Sequence, residues 1–294
     1  MKTREPSDLE KYLFDLKGFI TIEQALSPAE VDACNRDMDI IEDLELGEWH
    51  GYVQCHKFSG KNGKNFQQIY EMPAFQPMIG HPSWIEYMKT FVGGAGSFDY
   101  THGPLFIDEA FASIRKQGEA IFVHSGGHSQ SKRNMYHFKE GHFMCHQVNV
   151  LVALTDIGPG DGATMVIPGS HKANLEHPQF RNKSEDSADG IAEAVEVHLK
   201  RGDAIVFTDW ISHGSAARLK ADGQRRIFVY RYGPSWGFFR HPYRPSKALL
   251  DSLDDEARSI VWPHDPMPRQ PNRLEGIPDP ERLEPDKRFG AASY

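Results

Sequence analysis

The chain has 294 residues, long enough to bury a substantial core as one large domain or two small ones. With 39% hydrophobic, 25% charged and 11% aromatic residues, its composition is neither disordered nor fibrous, and a formal net charge of −8 argues against the basic surface that phosphate-backbone recognition needs. No apolar run reaches the roughly 20 residues of a membrane span, and the start, MKTREPSDLEKYLFDLKGF, lacks a signal-peptide apolar stretch. The expectation is a cytoplasmic globular protein whose partner is a small molecule, not a membrane or a nucleic-acid polymer. Three widely spaced cysteines, Cys34, Cys55 and Cys145, form no CxxC and suit a reducing compartment.

In chain order, Ser7-Asp8 opens a helix over LEKYLFDLKG with Gly18 as its stop, GFITIEQAL alternates briefly as a strand, and Ser27-Pro28 opens a second helix. Residues 50–80 are polar and Gly-rich and read as a surface excursion, followed by a helix near Pro82 to Phe91. From about residue 97 the texture becomes short β-rich runs: FDYTHG, AFASIRKQ, AIFVHS, HQVNVLVALTD, ATMVIPGSH, AVEVHLKRGD, AIVFTDWISH and RRIFVYRYGP. Strands at this spacing imply a jelly roll, so the expected class is mainly β with flanking helices (α+β), a cupin-like double-stranded β-helix. Residues 173–192 read as a crossing loop near the site mouth, and one helix is expected from Ser246 to Val261. The expected organisation is a single domain over 1–294, with a helical part to about 95, a β core over about 97–240 and an extension over 241–294.

Fifteen histidines offer the usual borderline metal ligand, and two of them end or follow strands: His124 after AIFV and His213 after AIVFTDWIS. Two neutral imidazoles on a rigid sheet hold iron(II) with several coordination positions open, as a cosubstrate and O₂ require. After His213-Gly214-Ser215, an Arg225-Arg226 pair opens the next strand. A guanidinium fork suits a distal carboxylate and a Ser hydroxyl adds a donor, which predicts a dicarboxylate cosubstrate.

With GFITIEQALSPAEVDA, LVALTDIGPGDGATMVIPGSHK, LKRGDAIVFTDWISHGS and RRIFVYRY, the chain resembles the phytanoyl-CoA dioxygenase-like family of Fe(II)/2-oxoglutarate oxygenases. The resemblance implies a double-stranded β-helix, His124 and His213 as metal ligands, Arg225 as partner of the 2-oxoglutarate carboxylate, Ser215 in its support, and Fe(II), 2-oxoglutarate and O₂ as cofactors. The family's first motif is His-x-Asp, whereas this chain reads His124-Ser125-Gly126, and no histidine here is followed two places on by Asp or Glu. The glycine removes a negative ligand. The arrangement resembles that of the iron/2-oxoglutarate halogenases, with chloride as a further cofactor and Gly126 as the halide position. On this reading Gly126→Asp shifts the reaction from halogenation towards hydroxylation.

Alternatives stand beside it. Glycine after a strand also serves a turn, and Asp209, close before His213, is the nearest rival carboxylate; either would favour hydroxylation. The same barrel also occurs as a binding module without redox chemistry. For the substrate, His128, Lys132, Arg133 and Tyr136 in GGHSQSKRNMYHFKEGH are candidates for holding an anion, pointing to a nucleotide or other phosphorylated metabolite. His171 in IPGSHK reads as structural.

Overall fold

The computed structural model describes residues 3–57, 63–93, 103–129, 135–181, 188–237 and 244–263. Most of the strand expected at FDYTHG, the candidates Lys132 and Arg133, and everything after Pro263 lie outside the described residues.

Two helices at the start form where their caps demand. α1 (Asp8–Lys17) begins at a reciprocal box between Ser7 and Glu10 and ends at Gly18 in the left-handed region, φ +84°. α2 (Pro28–Ile41) begins at a second such box, Ser27 with Glu30, with proline in its first turn. The apolar stripe of α2, Val31, Cys34, Met38 and Ile41, is buried. Between the helices runs β1 (Phe19–Ile22).

β1 edges a sheet of eight strands. In spatial order after β1 come β12 (Ala204–Thr208), β9 (Val148–Ala153), β14 (Arg225–Gly233), β5 (Phe106–Arg115), β4 (Lys64–Gln67), β3 (Val53–Lys57) and β2 (Trp49–His50). Every neighbouring pair is antiparallel. A second sheet of four has the order β11 (Val195–Val197), β10 (Thr164–Val166), β13 (His213–Ser215), β6 (Ile121–His124), and β7 (Tyr136–Lys139) forms a hairpin with β8 (His142–Cys145).

Strand alternation sorts the large sheet into two faces. On β14, Phe228, Tyr230 and Tyr232 join the cluster packed against the helices. Ile227 and Val229 point the other way, into a second cluster with Phe111, Leu151, Ile205 and Phe207, which Val166 and Val197 of the small sheet close from above. Two sheets over one apolar layer, with helices on the outer face, are the double-stranded β-helix expected from the strand pattern.

Two regions differ from expectation. Residues 50–80 are not a surface excursion. They supply β2, β3 and β4 together with 3₁₀ turns, and bury Cys55, Phe66, Ile69 and Phe75 completely; a polar, Gly-rich spelling hid strands that pair at the edge of an existing sheet. The helix expected over Ser246–Val261 is two, α4 (Lys247–Ser252) and α5 (Asp255–Val261), because Asp254 caps the second by accepting from the Ala257 N–H. The remaining helix, α3 (Ile85–Val92), lies where expected.

Ser27→Ala removes the cap of α2 and should lower stability by about 1 kcal/mol, a fall of about 2–4 °C in Tm by thermal unfolding. An unchanged Tm would mean that α2 is held by packing alone.

Candidate active site

β6 and β13 pair antiparallel with His124 directly opposite His213, and the two imidazole centroids are 4.2 Å apart. Both rings are turned by the same device. Nδ1–H of His124 donates to the Phe122 carbonyl at 3.1 Å, and Nδ1–H of His213 donates to the Ile211 carbonyl at 2.7 Å. A carbonyl accepts and never donates, so each ring carries a proton on Nδ1, which orients Nε2 as the nitrogen suited to a metal. Burial, reinforced by His124, pushes His213 down to about 3, which keeps it neutral.

Arg225 opens β14 on the inner face and is buried, with Nη2 donating to Thr164 Oγ1 at 3.4 Å while Nε and Nη1 have no hydrogen-bond partner. Arg226, its neighbour, points outward and bridges Asp39 of α2 and Glu42, the residue that caps the C-terminus of that helix, each at 2.6 Å. Directly across the ladder from Arg225 stands Arg115 on β5, also buried. Its Nη1 donates to Ser215 Oγ at 2.6 Å, so Ser215 is held by Arg115. Burial, and then the charge of Arg115, depresses the proton affinity of Arg225. Two neighbouring buried guanidiniums, Arg225 with Nε and Nη1 unpartnered, fit the distal carboxylate of a dicarboxylate. Sequence reading missed Arg115: its mark is one basic residue in ASIRKQ, and it takes the β5–β14 register to set it opposite Arg225.

The turn after β6 passes through Ser125 at φ +64° and Gly126 at φ +126°. A Cβ on Gly126 would lie 2.7 Å from two ring atoms of His128 and 2.7 Å from Ser212 Oγ. The positive φ strains any side chain at 126, and one would enter only if His128 or Ser212 moved, so glycine suits this turn. The imidazole of His128 stands where a residue-126 side chain would begin. Among the described residues no group of three or more His, Cys, Asp or Glu is arranged for a metal. Asp209 is occupied elsewhere, accepting from Asn149 Nδ2 at 2.8 Å and facing Arg231 Nη1 at 3.5 Å. The donor set fits an iron held by two imidazoles, with a dicarboxylate anchored on Arg225.

Of the substrate candidates, His128 adjoins this turn, whereas Tyr136 donates its hydroxyl to Asp15 of α1 and so ties β7 to that helix. His171 is buried, with Nε2–H donating to the Asp15 carbonyl at 3.0 Å.

Residues 14–227 match the phytanoyl-CoA dioxygenase (PhyH) family. The chain belongs to that family. Among curated relatives, this PhyH protein is 30% identical over 114 residues to Dioxygenase cdmD of Talaromyces verruculosus, a match spanning 39% of this chain and 35% of the relative. It is 24% identical over 190 residues to Dioxygenase aneA of Aspergillus aculeatus, spanning 61% of this chain and 54% of the relative. It thus aligns with only about a third to a half of these relatives' lengths. Among solved structures, HygX of Streptomyces hygroscopicus with nickel, 2-oxoglutarate and hygromycin B bound superposes with a TM-score of 0.66 at 20% identity, covering 79% of this PhyH chain and 89% of HygX. AviO1 of Streptomyces viridochromogenes Tue57 superposes with a TM-score of 0.52 at 15% identity, covering 80% and 95%. These show the shared fold. No helix among the described residues is long and apolar enough to cross a membrane.

Gly126→Asp also bears on stability. The substituted side chain collides with His128 and Ser212 on a backbone that disfavours it, so Tm should fall by about 4–8 °C. An unshifted Tm would show that the turn yields. Burial pushes His171 from its ordinary value of 6.5 to about 4. The folded value lies below the unfolded one, so the stabilisation is complete above about pH 6.5 and is lost as pH falls towards 4. Urea unfolding at pH 7.5 and 5 should show a smaller loss for His171→Gln than for the parent; equal losses contradict the assignment.

Proposed function

We propose that this PhyH protein is an Fe(II)/2-oxoglutarate-dependent enzyme that functionalises an unactivated C–H bond of a small molecule, and that its iron takes chloride where relatives use a carboxylate, making halogenation its reaction. The observation that carries the reading is Gly126. Its positive φ strains any side chain, which would have to displace His128 or Ser212, while His124 and His213 face each other from paired strands with Nδ1 of each held by a carbonyl.

Bound iron with 2-oxoglutarate and O₂ supplies the oxidant for the C–H bond. The chain's own part is positional. His124 and His213 would hold the metal from facing strands, with His213 kept neutral by burial, Arg225 would receive the distal carboxylate, and Arg115 fixes the Ser215 hydroxyl beside it. Because no protein carboxylate enters from residue 126, a coordination position and a unit of negative charge are left for a monovalent anion. The nickel and 2-oxoglutarate bound by HygX support the cofactor set. Hydroxylation is the second reading, favoured by the dioxygenase names of both curated relatives.

Chloride titrated anaerobically into protein loaded with Fe(II) and 2-oxoglutarate should shift the visible charge-transfer absorption saturably, and turnover should give products with the chlorine isotope pattern by mass spectrometry. A hydroxylated product indifferent to chloride contradicts halogenation and leaves the oxygenase reading standing. Arg225→Gln should raise the half-saturating 2-oxoglutarate concentration by at least about tenfold; an unchanged value would move the cosubstrate elsewhere.

A further inference from the structure

A turn, not a strand, places His128 beside the metal ligands. The Ser129 N–H bonds the Gly126 carbonyl at 2.9 Å, closing residues 126–129 into a turn that folds His128 back towards Gly126. Gly127, inside the turn, lies hard against the loop that follows β10. A Cβ there would stand 2.6 Å from the carbonyl oxygen of Ala173 and 2.8 Å from that of His171. Ser170 pins both sides of the arrangement. Its carbonyl accepts from the Gly127 N–H at 2.8 Å, and its hydroxyl oxygen accepts from the N–H of Ser212, the residue before His213, at 2.7 Å. Two glycines in succession thus let the chain pass close to that loop and return His128 to the site.

The imidazole of His128 is half-buried, with the Phe180 ring 6.3 Å away, centroid to centroid. Its Nδ1 and Cε1 each lie 2.7 Å from the point where a Cβ on residue 126 would be. That point is where a carboxylate of the family's His-x-Asp motif would begin, so an anion standing in for that carboxylate meets the same edge of the ring. His128 is not a third ligand, since among the described residues no group of three or more His, Cys, Asp or Glu is arranged for a metal.

An anion that leaves water for a metal still needs hydrogen bonds on the side turned away from the metal. Ser212 and His128 both border the position. Ser212 gives its hydroxyl hydrogen to the Ser125 carbonyl at 3.2 Å, whereas the His128 ring makes no hydrogen bond among the described residues. A neutral imidazole carries one N–H, and with the hydrogen on Nδ1 that donor faces the position.

Resting on the chloride reading above, we propose that His128 is the anion-binding residue of this site: its Nδ1–H donates to the chloride that takes the place of a residue-126 carboxylate, and its ring fills the room that such a side chain would need. One turn then supplies a metal ligand, the place for the anion and the anion's donor. The anion held by His128 is the halide, not a phosphate of the substrate.

The test titrates chloride at constant ionic strength, with gluconate as the balancing anion, into anaerobic protein loaded with Fe(II) and 2-oxoglutarate, and reads the visible charge-transfer absorption. His128→Phe keeps an aromatic ring and removes the N–H, so the half-saturating chloride concentration should rise by at least about tenfold, with those of iron and 2-oxoglutarate unchanged. In His128→Asn, Nδ2 is as many bonds from Cβ as Nδ1 of histidine and still donates, so chloride affinity should stay within about threefold of the parent. Space filling alone predicts the reverse order, because asparagine loses the ring. Unchanged chloride affinity in His128→Phe, or a weakening by asparagine as large as that by phenylalanine, overturns the inference and leaves the chloride reading standing. If the phenyl ring prevents folding, His128→Leu makes the same comparison with a smaller side chain. A parent protein that binds iron and 2-oxoglutarate but shows no response to chloride sinks the chloride reading and this inference with it.

Discussion

The antiparallel register between β6 and β13 is the constraint on which the site depends. It sets His124 opposite His213, and the carbonyls of Phe122 and Ile211 then hold both rings by Nδ1. A metal site needs convergent ligands that are already oriented, because ordering free imidazoles on binding costs conformational entropy. Here the backbone does the ordering, and burial keeps His213 unprotonated and ready. The same turn that ends β6 places Gly126 against His128 and Ser212, so the positioning of the first histidine and the exclusion of a carboxylate are one structural event.

The large sheet supplies the rest through alternation. Because β14 points every second residue inward, one strand delivers Arg225 near one end, an apolar stretch in the middle and Arg231 near the other, while the alternate residues Arg226, Phe228, Tyr230 and Tyr232 anchor α2 and the outer core. Burial depresses the proton affinity of both Arg225 and Arg115, with Asp161 and Glu119 acting to restore it. In the chemistry proposed, a dicarboxylate adds a counter-charge beside Arg225.

Much of this was legible in the sequence, for definite reasons. Short β-rich runs separated by Gly-Asp turns declared the barrel, and the two strand-terminal histidines and Arg225 were visible because each sits at the edge of a strongly patterned strand. What depended on register was not legible. Arg115 looked like any surface-strand arginine until β5 was laid beside β14, and Ser215, expected to serve Arg225, is held by Arg115 instead. The placement of Arg231 beside Glu109 of β5 and Asn149 of β9 was hidden for the same cause. Strands β2, β3 and β4 were missed because edge strands tolerate polar spelling, and Gly126 read as a simple deletion of a carboxylate because sequence gives no view of the ring of His128 beside it.

The central claim is that the metal is held by two histidines with a monovalent anion in place of the carboxylate. It is tested most directly by growing crystals anaerobically with Fe(II), 2-oxoglutarate and bromide and collecting anomalous data at the bromine edge. The account predicts a single strong anomalous peak bonded to iron, on the side of Gly126, with His124 and His213 as the protein ligands. Iron coordinated by His128, by a protein carboxylate or by water at that position, with no bromide beside it, would contradict it.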